Sequence, residues 1–310
     1  MVEWTLYLCN KGEMMEYLFN LFNGLWYIPY LAAIMILSAW AKKTNFFMPV
    51  YRWIATRVKS KRAVVAIISA ISGVLPIEGR VTVSAGFLDT IAPNDNRRRM
   101  YGIIDYLSTH HYYFWSPLEK TVILPMAVLG LGYIGFISLV WPLIATCFIV
   151  ALFYIFFILK EEDVSIDLDK KCECHDHSQE IKWINWKVLA AVTGVIILGN
   201  FLKTFDKEMI DLVKSSGSIA VATLLSFVFS FAMGSSGKYA GFVSLLSTIF
   251  GTKFLPLFLA VDYAGYMFSP THKCFTVGKT YFDTPIGEFY KAIGLLCGCL
   301  IIVSMIMILL

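Results

Sequence analysis

Charge is what this sequence has least of. Only 15% of its 310 residues are Asp, Glu, Lys or Arg, where soluble domains carry about 25%. With 58% hydrophobic residues and a mean hydropathy of +0.68, a soluble fold of this length would lack the polar sequence to cover its surface. A phosphate-cradling glycine loop, a hydrolase elbow and an HExxH helix are also missing, so ATP-driven transport and membrane proteolysis have no support and no enzyme activity is expected. The net charge of +4 forms no basic stripe on a soluble surface, and no nucleic-acid partner is expected. The seven cysteines are odd in number and lack disulfide-framework spacing. The first 16 residues hold Glu3, Glu13 and Glu16 against Lys11 alone. Without a positive n-region, the first apolar run is expected to remain as a span rather than to be cleaved as a signal.

What the chain does have is long uncharged runs. Tyr17 to Ala41 covers 25 residues, Thr121 to Leu159 covers 39, Ser215 to Gly237 covers 23 and Ala292 to Leu310 covers 19. A helix needs about 20 residues to cross the hydrocarbon. The expectation is an all-α polytopic membrane protein of roughly 8–10 spans, multi-pass in a prokaryotic-type plasma membrane, with lipid as its surroundings. The 39-residue run is too long for one span and is expected to fold as two, with a turn near Gly132 to Pro142. The stretch Tyr101 to Trp115, aromatic and containing His110 and His111, suits an interface-lying or short helix.

Loops divide the chain into a first membrane unit over 1–159, a polar linker over 160–187 and a second membrane unit over 188–310. Lys42 to Arg62 carries seven basic residues and no acid, which places this loop in the cytoplasm by the positive-inside rule. The linker holds eight acids and five lysines; its side stays open.

The segment Ala63 to Ile77 has 15 residues, which at 1.5 Å rise reach roughly 22 Å, short of a ~30 Å hydrocarbon core. Gly73, Pro76 and Gly79 break it. The second unit echoes this one. Ala85-Gly86-Phe87 returns as Ala240-Gly241-Phe242, Gly79-Arg80 as Gly237-Lys238, Asp105-Tyr106 as Asp262-Tyr263, and Ser116-Pro117 with Lys120 as Ser269-Pro270 with Lys273. Four matches in one order point to two inverted repeats, each with a broken or re-entrant helix. Paired interrupted segments of this kind mark the binding site of a secondary transporter, because a helix broken within the membrane exposes backbone groups that bare hydrocarbon does not tolerate.

The candidate site residues adjoin these breaks. Gly79, Arg80 and Ser84 in the first unit, and Ser235, Ser236, Gly237 and Lys238 in the second, are candidates for substrate binding. A basic residue beside each break suits an anion. Glu78, Asp262 and His272 are candidates for a proton or a coupling ion such as Na⁺, and Asp105 is a further buried-acid candidate. Cys172, Cys174, His175 and His177 form a soft ligand set for Zn²⁺ in the linker; the alternative is a solvated loop. No other cofactor is expected.

The breaks also carry a resemblance. Gly73-Val74-Leu75-Pro76-Ile77-Glu78-Gly79-Arg80, followed by Ser84, resembles the proline-glycine signature of the prokaryotic integral membrane family catalogued as domain of unknown function 401. Gly265-Tyr266-Met267-Phe268-Ser269-Pro270-Thr271-His272-Lys273-Cys274, with Tyr281-Phe282, resembles its second signature. Tyr106, Trp115, Pro117 and Leu118 are similar to its aromatic middle segment. The likeness covers roughly residues 20 to 300, and the chain departs from the pattern at Glu78, Arg80 and Lys273. The resemblance implies a permease of the ion-transporter type with broken helices. The expected function is secondary transport of a small organic or inorganic anion, coupled to Na⁺ or H⁺. A cation transporter or channel, and a non-transporting scaffold or sensor, stay open beside it, as does a homodimer.

Overall fold

The computed structural model describes residues 47–74, 80–93, 95–117, 119–160, 218–233, 236–270 and 281–310. It also describes scattered positions between 28 and 40 and between 184 and 197, and position 272. All regular structure among these residues is helical. The elements are α1 (Phe47–Arg57), α2 (Lys61–Val74), α3 (Arg80–Ile91), α4 (Arg99–Ser108), α5 (Lys120–Leu129), α6 (Tyr133–Phe153), α7 (Ile219–Met233), α8 (Ser236–Phe250), α9 (Leu255–Phe268) and α10 (Ile286–Leu309). The span expected at Tyr17 to Ala41 lies largely outside the described residues, and most of the polar linker lies outside them too.

Among the described residues, two helices are long and apolar enough to cross a membrane. One is α6, prolonged by a π turn over Tyr154–Ile158; the other is α10. Both turn bulky apolar side chains outward, with Ile134 at 78% exposure, Phe157 at 80% and Ile302 at 61%. Water would make such a face costly, whereas lipid makes it ordinary.

The 39-residue run does fold as two helices. Its turn comes earlier than the sequence suggests, at Gly130 to Gly132. Gly130 takes φ +66, a left-handed cap that lets the Leu131 amide reach the Met126 carbonyl at 2.9 Å. Pro142 was expected at the turn but lies inside α6. The carbonyl of Pro142 accepts the Thr146 hydroxyl at 2.7 Å.

In contrast to α6 and α10, α4 and α9 are short and buried all round. Every residue from Tyr101 to Ser108, and from Leu255 to Met267, is inside. A helix without a polar face belongs to a core. Tyr101 and Ile104 of α4 pack with α1, α2 and α3, while Ile103, Tyr106 and Leu107 pack with α5, α6, α9 and α10. The aromatic stretch Tyr101 to Phe114 thus holds a short helix, as its sequence suggests, and supplies core. Arg98 ties the layers at one end: its guanidinium pairs with Asp89 of α3, donates to the Tyr281 carbonyl at 3.0 Å and stands 5.8 Å from the centre of the Phe282 ring. The neighbouring turn is held locally, since Asp95 accepts the Arg97 amide at 2.9 Å and its guanidinium at 2.6 Å. Those contacts hold the exposed Asp95 carboxyl below its ordinary range.

Candidate functional site

Helix ends inside a fold need partners for their free carbonyls and amides. α2 stops at Val74 and α3 starts at Arg80; Glu78 and Gly79 fall between them, outside the described residues. α7 stops at Met233 and α8 starts at Ser236, with Ser235 outside the described residues. Ser236, Gly237 and Lys238 therefore form the first turn of α8, as Arg80 opens α3. The first amides of a helix lack an intrahelical acceptor and carry the positive end of its dipole.

Ser84 is buried in the second turn of α3, with its hydroxyl beside the Asp105 carboxyl of α4. Asp262 is buried in the middle of α9, where Tyr113 donates its hydroxyl to Oδ2 and Ser230 of α7 lies alongside. Both carboxyls are 1% exposed. No Lys or Arg reaches either of them among the described side chains, which do not include those of Arg80 and Lys238. A carboxyl so enclosed is stable only when protonated or when a cation joins it.

His272 is buried beyond the end of α9 and joins a polar network that includes α4. The Nδ1 of His110 is 2.7 Å from the Tyr106 carbonyl, so it carries the proton and Nε2 accepts. The Nε2 of His272 lies 3.2 Å from that acceptor and donates to it. The other ring nitrogen of His272 lies 2.8 Å from the Tyr106 hydroxyl. The same hydroxyl donates to the Met267 carbonyl at 2.9 Å, and His272 Nδ1 is 3.2 Å from that of Tyr266. Tyr266 stacks on the His272 ring with centroids 4.0 Å apart. The Tyr106 hydroxyl thus covers a carbonyl that the last turn of α9 would otherwise leave bare.

Of the residues singled out from sequence, the structure thus brings Ser84 into one carboxyl pocket, Asp262 into the other, and His272 into the network near α9. Cys172, Cys174, His175 and His177 lie outside the described residues; among those described, no three His, Cys, Asp or Glu side chains group to hold a metal. Sequence reasoning passed over Tyr106, His110, Tyr113 and Tyr266 as functional groups. The four-residue step from Tyr106 to His110 puts both on one helical face and was the available signal.

The fold defines an all-helical protein with helices suited to a membrane. Residues 181–310 match the family described as Protein of unknown function (DUF401), the family that the two motifs resemble. That match takes in Gly265 to Cys274 and Tyr281-Phe282 and leaves Gly73 to Ser84 outside it. No curated protein and no solved structure matches the chain.

Proposed function

We propose that the protein is a secondary active transporter that moves a small anion across the membrane, coupled to H⁺ or Na⁺. The observation that carries this reading is that both interrupted helices restart on basic sequence, α3 at Arg80 and α8 at Ser236 with Lys238 in its first turn. Free amides, the helix dipole and a cation at one place favour an anion.

The order of elements supports two repeats. α2, α3, the 3-10 turn at Asn96–Arg98 and α4 follow one another as α7, α8, the turn at Thr252–Phe254 and α9 do. The long apolar helices α6 and α10 come after them in turn. In this reading the repeats are inverted and belong to a bundle of roughly 8–10 spans, multi-pass in a prokaryotic-type plasma membrane with lipid around α6 and α10. Asp262 and His272 serve the coupling ion. Cysteine-accessibility labelling near Arg80 and Lys238 from the two sides checks the inversion.

Uptake into proteoliposomes, across a panel of organic and inorganic anions with and without ion gradients, tests the function. A charged contact is worth about 1.5–3 kcal/mol, so R80A and K238A should each weaken anion affinity by about tenfold or more. Unchanged uptake in both variants would remove Arg80 and Lys238 from the site. A cation carrier or channel is the competing reading, favoured by the enclosed Asp262 carboxyl. Currents linear in voltage and free of substrate coupling would select the channel.

A further inference from the structure

We infer that Asp105 and Asp262 are two proton-binding carboxyls, one in each half of the chain, held at equivalent helix crossings. In the first half α2 meets α4 so closely that a Cβ on Gly73 would come within 3.1 Å of the Ser108 carbonyl. In the second half α7 meets α9 so closely that a Cβ on Gly265 would stand 3.0 Å from Ser230 Cβ and would run into the Phe227 carbonyl. These contacts fall in the same register. From Gly73 to Ser230, and from Ser108 to Gly265, the separation is 157 residues. The glycine has changed sides of the crossing while the close approach remains. The same 157-residue step separates Asp105 from Asp262, and Ser69 from Ser226. Ser69 and Ser226 are both buried on the crossing helices without a side-chain partner among the described residues.

Each carboxyl therefore sits one turn before its crossing, three residues ahead of Ser108 or of Gly265. The two surroundings agree as well. Oδ1 of each carboxyl has no hydrogen-bond partner among the described residues. Ser84 and Ser230 lie alongside without closing a bond of normal geometry on that oxygen. Among the described side chains, the titratable group facing Asp105 is Tyr51 of α1, whose hydroxyl is hydrogen-bonded to Ser72 of α2 at 2.7 Å. Asp262 faces Tyr113, with Tyr263 behind it near Cys147 of α6 and Cys297 of α10. None of these is a cation. No group of three His, Cys, Asp or Glu side chains forms around either carboxyl among the described residues, and the simplest ligand for one carboxyl is a proton: carboxylate plus H⁺ gives the neutral acid, with no other bond made or broken. The proton sites stand on this geometry alone. Their consequence, two protons carried per transport cycle, rests on the transporter reading.

Infrared difference spectroscopy of the purified full chain in lipid nanodiscs tests the inference, with pH as the only variable. The protonated-carboxyl C=O stretch of the parent should contain two buried components that disappear on alkalinisation. Asp105→Asn and Asp262→Asn should each remove one of them, and the double variant both. Asp105→Glu and Asp262→Glu keep a carboxyl, so they should move the component instead of deleting it, which guards against a variant that merely misfolds. Components unaffected by these changes would overturn the inference. Loss of a component in only one of the two Asn variants would overturn the equivalence. Displacement of the components by NaCl at fixed pH would assign the pockets to a metal cation instead. No substrate is present in this measurement, so its failure leaves anion uptake untouched, and absent uptake leaves the two components standing.

Discussion

The Nε2 atoms of His110 and His272 stand 3.2 Å apart, across 162 residues of chain. One ring follows α4 and the other follows α9, so this contact joins the ends of the two fully buried helices. The hydrogen bond needs His110 protonated on Nδ1, and the Tyr106 carbonyl at 2.7 Å enforces that tautomer.

The pair should therefore behave as a unit. His272→Ala strands the His110 Nε2 acceptor in the core and removes the ring that stacks on Tyr266, so a loss of about 1–3 kcal/mol is expected. The sharper measurement is a double-mutant cycle with His110→Ala, read from chemical or thermal unfolding in detergent. A coupling energy of about 0.5–3 kcal/mol is expected for groups in one hydrogen-bond network. Additivity within about 0.3 kcal/mol would mean that the two rings are neighbours without a bond that matters.

Two glycines should respond in opposite ways to the same methyl group. Gly265→Ala drives a Cβ into the Phe227 carbonyl and against the Phe231 amide at 3.0 Å, and backbone cannot step aside as a side chain can. The crossing of α7 and α9 must open, at an expected cost of about 1–3 kcal/mol. Gly298→Ala on α10 meets no atom within 4 Å. It should be neutral or stabilising by up to about 1 kcal/mol, the difference in helix propensity. Unfolding midpoints of the two variants settle the comparison, and equal effects would contradict the close crossing.

Much of the helical framework was legible because it follows from local chemistry. The Gly73, Pro76 and Gly79 segment read as a break, and helix is described up to Val74 and again from Arg80. Gly-rich sequence marked a turn in the long apolar run, though Pro142 misled its position. A proline inside an apolar helix loses one hydrogen bond, the one to the carbonyl four residues earlier, yet the helix runs on through Pro142. The pairing of His110 with His272, and the donation from Tyr113 to Asp262, were not legible. Each joins residues more than a hundred positions apart, and no local pattern encodes which buried donor will meet which acceptor. The echo of Asp105-Tyr106 in Asp262-Tyr263 did mark the two carboxyls, but only the Gly73 and Gly265 crossings reveal that they occupy like positions.

Arg98 offers a test of how the layers are joined. Its guanidinium bonds Asp89 on α3 and the Tyr281 carbonyl, and its charge faces the Phe282 ring. The pair is only about a quarter exposed, with side chains at 23% and 26%, so solvent screening weakens it less than a surface bridge. Arg98→Ala removes the Asp89 contact and the bond to the Tyr281 carbonyl, and loosens the segment before α10. A loss of about 2 kcal/mol is expected, since hydrogen bonds to charged groups contribute about 1.5–3 kcal/mol. Arg98→Lys keeps the charge but not the planar fork that reaches two acceptors, and should recover less than half of that loss. Thermal unfolding in detergent, with limited proteolysis between Phe282 and Ile286 as the local readout, separates the outcomes. Faster cleavage there in Arg98→Ala is expected. Cleavage unchanged from the parent would mean that Phe282, buried among α1, α2 and α4 residues, holds the segment without help from the arginine.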